Sequence, residues 1–282
     1  MDPEAALRLV DGFSLEMTGK DVPALMAARD VIPRGTRINV TFLGNEDLEM
    51  RVAAARAVRE LGFIPVPHIS ARRIRSDQEL RDFLDALREV DALESVFAVG
   101  GDPAEPVGPY SSAFDLIVSG AFADYGVAEV GIAGYPEGHP DIATDVLWDH
   151  LVRKAAALND QGISPTVLTQ FAFDTSPVTR WIEEVRGRGI DATLRIGVPG
   201  PAGIKRLLAF ARRFGIGANA SVVKKYGFSL TNLMGSAGPD RFVSDLAARL
   251  TPVSGAVKVH MYAFGGLLAT AQWARDYVAA QV

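Results

Sequence analysis

Short β-branched runs, roughly four to eight residues each, alternate along the chain with amphipathic stretches of about ten or more, so a period of two repeatedly gives way to one near 3.6. Residues 13–17, 37–43, 64–69, 95–99, 129–133, 166–173, 192–198 and 257–262 read as strands. Helices are predicted over 48–61, 77–90, 113–121, 142–158, 177–188, 202–214 and 267–278. In the first, Leu48, Val52, Ala55, Val58 and Leu61 share one face; in the second, Leu80, Phe83, Leu84 and Leu87 do. The interval between residues 214 and 257 is longer and holds a further helix, 240–250, with Arg241 and Arg249 turned to solvent. Eight strands each followed by a helix predict an α/β protein, a single (βα)8 TIM barrel with an extra helix before strand eight, filling 1–282 as one domain. Gly62, Gly126, Gly162 and Gly189 stand between a helix and the next strand and are expected to be structural caps.

Composition narrows the function classes. The 282 residues are 48% hydrophobic and 22% charged, enough for a large core and unlike a disordered chain. No cysteine occurs, which excludes disulfides and thiolate metal sites and fits a reducing compartment. The N-terminus has no basic, then apolar, leader pattern, and no apolar run is long enough for a bilayer, so the expected location is the cytoplasm, without a membrane partner. A formal net charge of -5 argues against nucleic acid as a partner, while leaving room for a local anion pocket.

Barrel enzymes build their sites at the carboxyl ends of the strands, so the residues ending each run are the candidates. They are Glu16; Thr41 with Gly44 and Asn45; His68; Gly100, Gly101 and Asp102; Tyr135 and His139; Gln170 and Asp174; Arg195; and His260 with Tyr262. Of the four histidines, only His150 falls inside a helix. Alternation puts Ser14 and Glu16 on one face, the barrel interior if Leu15 packs on helices; a carboxylate there is costly unless paired or put to use. The Gly100-Gly101-Asp102-Pro103 turn allows close backbone approach to a ligand, followed at once by a carboxylate. Tyr135-Pro136-Glu137-Gly138-His139-Pro140 holds an aromatic and an imidazole on a stiffened loop. The chain lacks a Walker-type phosphate loop, a convincing Gly-x-Gly-x-x-Gly after strand one, and the His-x-His or His-Glu-x-x-His patterns of hydrolytic metal centres.

In order along the chain, these segments resemble the methylenetetrahydrofolate reductase family over about residues 13–273. The resemblance is carried by the Glu16 segment, Asn39-Val40-Thr41-Phe42, Val66-Pro67-His68-Ile69 and Gly101-Asp102. Most specific are Tyr135-Pro136-Glu137-Gly138-His139-Pro140 and Thr169-Gln170-Phe171-Ala172-Phe173-Asp174, followed by Val259-His260-Met261-Tyr262. The resemblance implies an FAD-dependent oxidoreductase of one-carbon metabolism that interconverts 5,10-methylenetetrahydrofolate and 5-methyltetrahydrofolate, with NADH or NADPH as co-substrate. Glu16 is then the acid toward the folate nitrogen, and Asp102 the carboxylate that stabilises the developing cation. Thr41, Phe42, Gly44, His68, Gly100, Gly101, Asp102, Tyr110, Ser111, Tyr135, His139, Asp149 and Lys154 would hold the flavin; Gln170, Arg206, Phe210 and Tyr262 would meet the folate, Gln170 and Phe210 also the nicotinamide.

The chain departs from the family in three places. Met17-Thr18-Gly19-Lys20 follows the glutamate instead of Phe-Phe-Pro-Pro, Gly100 replaces an Arg before Gly-Asp, and Gly265-Gly266 replaces Asn-Arg after the last strand. Arg206 is the candidate to take over the last contact. An alternative is therefore a flavin- or folate-binding barrel with little turnover, acting as carrier or partner subunit. A third reading is a metal-dependent hydrolase using His68, His139 and His260; the main reading expects no metal. A homo-oligomer is compatible with each.

Overall fold

In the computed structural model, which describes residues 3–213 and 238–281, the β-branched runs pair in chain order, each parallel to the next, and the eighth returns to the first. The strands are β1 (Ser14–Met17), β2 (Arg37–Val40), β3 (Ile64–Ser70), β4 (Ser95–Val99), β5 (Glu129–Gly134), β6 (Ser164–Phe171), β7 (Thr193–Pro199) and β8 (Val257–Tyr262). The closing register pairs Ser14 with His260 and Leu15 with Met261. The predicted closed (βα)8 barrel is what forms.

Helices cover the outside. In chain order they are α1 (Pro3–Val10), α2 (Val22–Ala28), α3 (Leu48–Glu60), α4 (Asp77–Glu89), α5 (Ala113–Val118), α6 (Ala121–Asp124), α7 (Thr144–Asp160), α8 (Thr175–Gly187), α9 (Ile204–Arg213), α10 (Asp240–Ala247) and α11 (Leu267–Ala279). Local chemistry starts several of them: the side chains of Asp47, Ser76 and Asp174 accept from the backbone N–H of Met50, Glu79 and Ser176. The Leu80, Phe83, Leu84 and Leu87 stripe of α4 is fully buried, worth about 1.5–3 kcal/mol per side chain before chain entropy is counted. Gly62, Gly126, Gly162 and Gly189 all have φ between 68° and 86°, the left-handed cap that lets each helix turn into its strand. Between α4 and β4 that place is taken by Asp91, at φ 54°.

α10 is the predicted extra helix, three residues shorter than expected, with Arg241 and Arg249 exposed. α1 and α2 were not foreseen; α2 follows a one-turn 3-10 segment, Gly19–Asp21, that Thr18 caps. β2 ends at Val40 rather than at residue 43, because the chain then turns away toward the N-cap of α3. Within the barrel, Val66, Phe97 and Leu168, with Val99 and Ala133, make a small apolar plug. Below it, toward the amino ends, Arg37 pairs with Glu129, and Arg195 Nη1 donates to Gly12 O at 3.0 Å. Arg195 is therefore an amino-end residue of β7, not a tip residue as expected. Alternation gives the face of a strand but not the level, and β7 runs four residues past it. Burial, with Arg37 beside it, pulls its guanidinium down to about 10.

Candidate active site at the carboxyl end of the barrel

Above the apolar plug the interior turns polar. β1 contributes Ser14 and Glu16 by alternation, and its pairing with β8 sets Ser14 Oγ 2.9 Å from His260 Nδ1. His260 is wholly buried, and burial lowers its pKa against the opposing pull of Glu16. Its Nε2 faces Glu16 Oε2 at 3.8 Å, beyond hydrogen-bond reach, and has no hydrogen-bond partner among the described residues. The Glu16 side chain keeps 24% of its surface exposed, so it is the member of this trio that solvent or a ligand can reach.

Four further rings stand at this end of the barrel. His68 Nε2 lies 3.3 Å from Asn39 Oδ1, and its imidazole packs on Phe97 with centroids 4.6 Å apart. Burial holds its pKa near 4, with Glu16 pulling upward and His260 downward, so it is a neutral ring at pH 7. Tyr262 donates to Thr169 O at 3.1 Å and meets His260 edge-on at 4.9 Å. Its hydroxyl is held well above the ordinary tyrosine pKa by burial, with Glu16 and Tyr135 adding to it. Tyr135 is also raised by burial and meets His139 edge-on at 5.4 Å. His139 is half-exposed and accepts from Asp141 N–H at 3.1 Å.

Glu16 and Asp102 stand at the same end of the barrel, on β1 and just past β4. Gly101, at φ 96°, makes the turn, and a side chain there would strike Ser70 Oγ. Asp102 is exposed, and its Oδ1 accepts from Nε and Nη2 of Arg73 at 2.9 and 2.7 Å. Arg73 went unnoticed in the sequence, since nothing local links it to a residue 29 positions on. Arg206 Nη1 donates to Phe264 O at 2.9 Å, beside the Gly265-Gly266 pair it was expected to compensate. Gln170 folds its side-chain oxygen back onto Phe171 N–H at 3.1 Å. The side chain of Phe210 lies outside the described residues.

Several expected flavin residues are occupied within the chain. Phe42 lies under the Arg51 guanidinium at 3.4 Å; Tyr110 donates to Asp77 at 2.6 Å, Ser111 to Asp115 at 2.7 Å, and Asp149 pairs with Arg153 at 3.3 Å. Others are buried donors in want of an acceptor. Among the described residues Thr41 Oγ1 has no hydrogen-bond partner, nor does Ser70 Oγ, which was not among the expected flavin residues, and Lys154 is desolvated enough to bring its amine down to about 8. Gly100 has open space where a side chain would be. Orphaned donors, Ser70 among them against the glycine turn, fit a ligand rich in acceptors, as a dinucleotide is.

A cleft of about 380 Å³ opens next to the β5 tip, between α7 and α8. Trp148 and Trp181 stack along it with centroids 6.0 Å apart, and Tyr135, Glu137 and Arg180 reach its rim. Among the described residues no group of three His, Asp or Glu side chains is gathered as a metal site, and no helix is long and apolar enough to cross a membrane.

The sequence profile described as methylenetetrahydrofolate reductase matches residues 18–225, well over half of the chain. The chain belongs to that family. Its similarity to methylenetetrahydrofolate reductase 2 of Saccharomyces cerevisiae is 32% identity over 143 residues, covering 46% of this chain and 22% of the yeast protein. A probable methylenetetrahydrofolate reductase (NADH) of Oryza sativa subsp. japonica is 25% identical over 184 residues, covering 54% of this chain and 30% of the rice protein. The matches thus span less than a third of each methylenetetrahydrofolate reductase. A GH18 chitinase from Pseudoalteromonas aurantia superposes with a TM-score of 0.55 at 7% identity, over 96% of this chain and 100% of that one, a likeness of barrel fold alone.

Proposed function

We propose that this chain is an oxidoreductase that interconverts 5,10-methylenetetrahydrofolate and 5-methyltetrahydrofolate, using FAD and taking its electrons from NADH or NADPH. Family membership supports the folate chemistry. The observation that carries the reading is Glu16: a carboxylate at the barrel mouth, partly open, beside a neutral imidazole fixed by Ser14.

The residues divide the work by position. Glu16 protonates the folate nitrogen as the methylene bridge opens, and Asp102 faces the positive charge that develops. His260 is a poor rival for that proton, because burial favours its neutral form. His68 and Tyr262 are neutral walls beside the acid. Thr41, Ser70, Gly100, Gly101 and Lys154 would hold the flavin, His68, Tyr135 and His139 would line it, and Gln170, Arg206 and Tyr262 would hold the folate. When bound, the flavin supplies the two-electron carrier that lets nicotinamide and folate use one face in turn.

A second reading has its own support. With Gln170 folded onto its own backbone, one expected substrate contact is engaged, as in a barrel that binds and barely turns over. The absorbance spectrum of the purified protein separates the readings. A yellow protein that bleaches with NADH or NADPH and recolours with methylenetetrahydrofolate supports the enzyme. A yellow protein that responds to neither supports the carrier. A colourless protein that still makes methyltetrahydrofolate would remove FAD and leave Glu16 in place.

A further inference from the structure

A carboxylate on an exposed loop serves catalysis only if something fixes it, and the turn after β3 is placed to fix Asp102. That turn, Ala71–Arg73, grips the β4 loop on both sides of the aspartate. Arg72 N–H donates to Gly100 O at 2.9 Å, and Val107 N–H donates back to Arg72 O at 3.0 Å. The Arg72 guanidinium reaches Pro103 O at 3.1 Å and Ser111 O at 2.8 Å. The loop backbone is thereby set by Arg72, and the carboxylate by Arg73.

The second grip is directional. Arg73 spends both Nε and Nη2 on one oxygen, Oδ1, so among the described residues Oδ2 is unbonded. The arginine is only 24% exposed while the aspartate is 79% exposed, so the anchored partner is the cation. Its guanidinium lies across Gly44 on the β2 loop: a methyl at position 44 would stand 2.4 Å from Nη1 and 2.5 Å from Nη2. Three neighbouring strand tips therefore meet at one guanidinium. As a surface ion pair this is worth only about 0–1 kcal/mol, so stability alone is a weak reason for it.

We propose that Arg73 is a positioning residue for the folate step, aiming Asp102 so that its free oxygen faces the pterin, with Gly44 providing the room it needs. This rests on the reading of Asp102 as the carboxylate that faces the folate. It predicts that Arg73 acts only through Asp102.

The test is a double-mutant cycle on the full chain, with Arg73→Gln, Asp102→Asn and the pair, and with Gly44→Ala as a variant that displaces the guanidinium while leaving its charge. Arg73→Gln should lower kcat for folate reduction about tenfold, with KM for the nicotinamide and its oxidation by an artificial quinone unchanged; in the Asp102→Asn background it should cost less than about twofold. Gly44→Ala should lower the same kcat about threefold, and Arg73→Lys should recover part of the loss, because a lysine offers charge without the fork. An equal loss from Arg73→Gln with and without Asp102, a rise in folate KM at unchanged kcat, or no loss in Gly44→Ala would overturn the assignment. If Asp102→Asn itself costs nothing, it is the folate-facing role of Asp102 that fails, and Arg73 falls with it.

Discussion

Replacing Glu16 by Gln removes the acid and keeps the shape. A positioned general acid contributes roughly 10²–10⁴ in rate, or about 2.7–5.5 kcal/mol. The structure favours the lower half of that range, because the side chain is 24% exposed and water can partly stand in for it. A loss of about 10²–10³ in folate reduction is expected. Folding should hardly change, since the neutral His260 Nε2 is 3.8 Å away and Glu16 has no hydrogen bond to lose among the described residues; about 0.5 kcal/mol or less is expected. The assay compares NAD(P)H oxidation driven by methylenetetrahydrofolate with oxidation driven by a quinone that needs no proton from Glu16. Quinone-driven oxidation should stay within about twofold of wild type while the folate rate falls. Equal folate turnover in Glu16→Gln, at matched thermal stability, would remove Glu16 from the chemistry.

Three further outcomes follow from the same packing. His68 is held at about 4 in the fold against an ordinary 6.5, so the unfolded chain binds the extra proton between those values; stability is lost as pH falls from 6.5 toward 4, by about 3 kcal/mol, and His68→Gln should erase that part of the slope in melting curves at pH 7 and 5. Ser14→Ala leaves His260 Nδ1 without its buried partner and should cost about 1–3 kcal/mol in denaturant unfolding. At the opposite end, Arg186 donates to the carbonyls of Ser254, Ile190, Ala192 and Ala256, so Arg186→Met should lower stability by about 2–4 kcal/mol while kcat and KM stay at wild-type values.

The repeat of strand and helix was legible because each unit buries a continuous apolar stripe, as Leu80, Phe83, Leu84 and Leu87 show. α1 and α2, eight and seven residues long, were not. Alternation placed Ser14 and Glu16 on the interior face, and the motifs put His260 on the strand that closes against them. It could not set the level of Arg195, although the predicted strand 192–198 ended within one residue of Pro199; the register, which sets Arg195 beside Leu168 and Lys258, comes only with barrel pairing. The Arg73 grip on Asp102 and the Trp148–Trp181 cleft depend on residues brought together only by barrel closure, so no local pattern announced them.

The central claim is that the carboxyl-end mouth reduces a folate. Anaerobic mixing of the purified chain with one equivalent of NADH or NADPH and excess methylenetetrahydrofolate, followed by mass analysis of the quenched folates, tests it directly. Stoichiometric 5-methyltetrahydrofolate, falling sharply in Glu16→Gln, is the predicted result. Unchanged methylenetetrahydrofolate with both nicotinamides would contradict it.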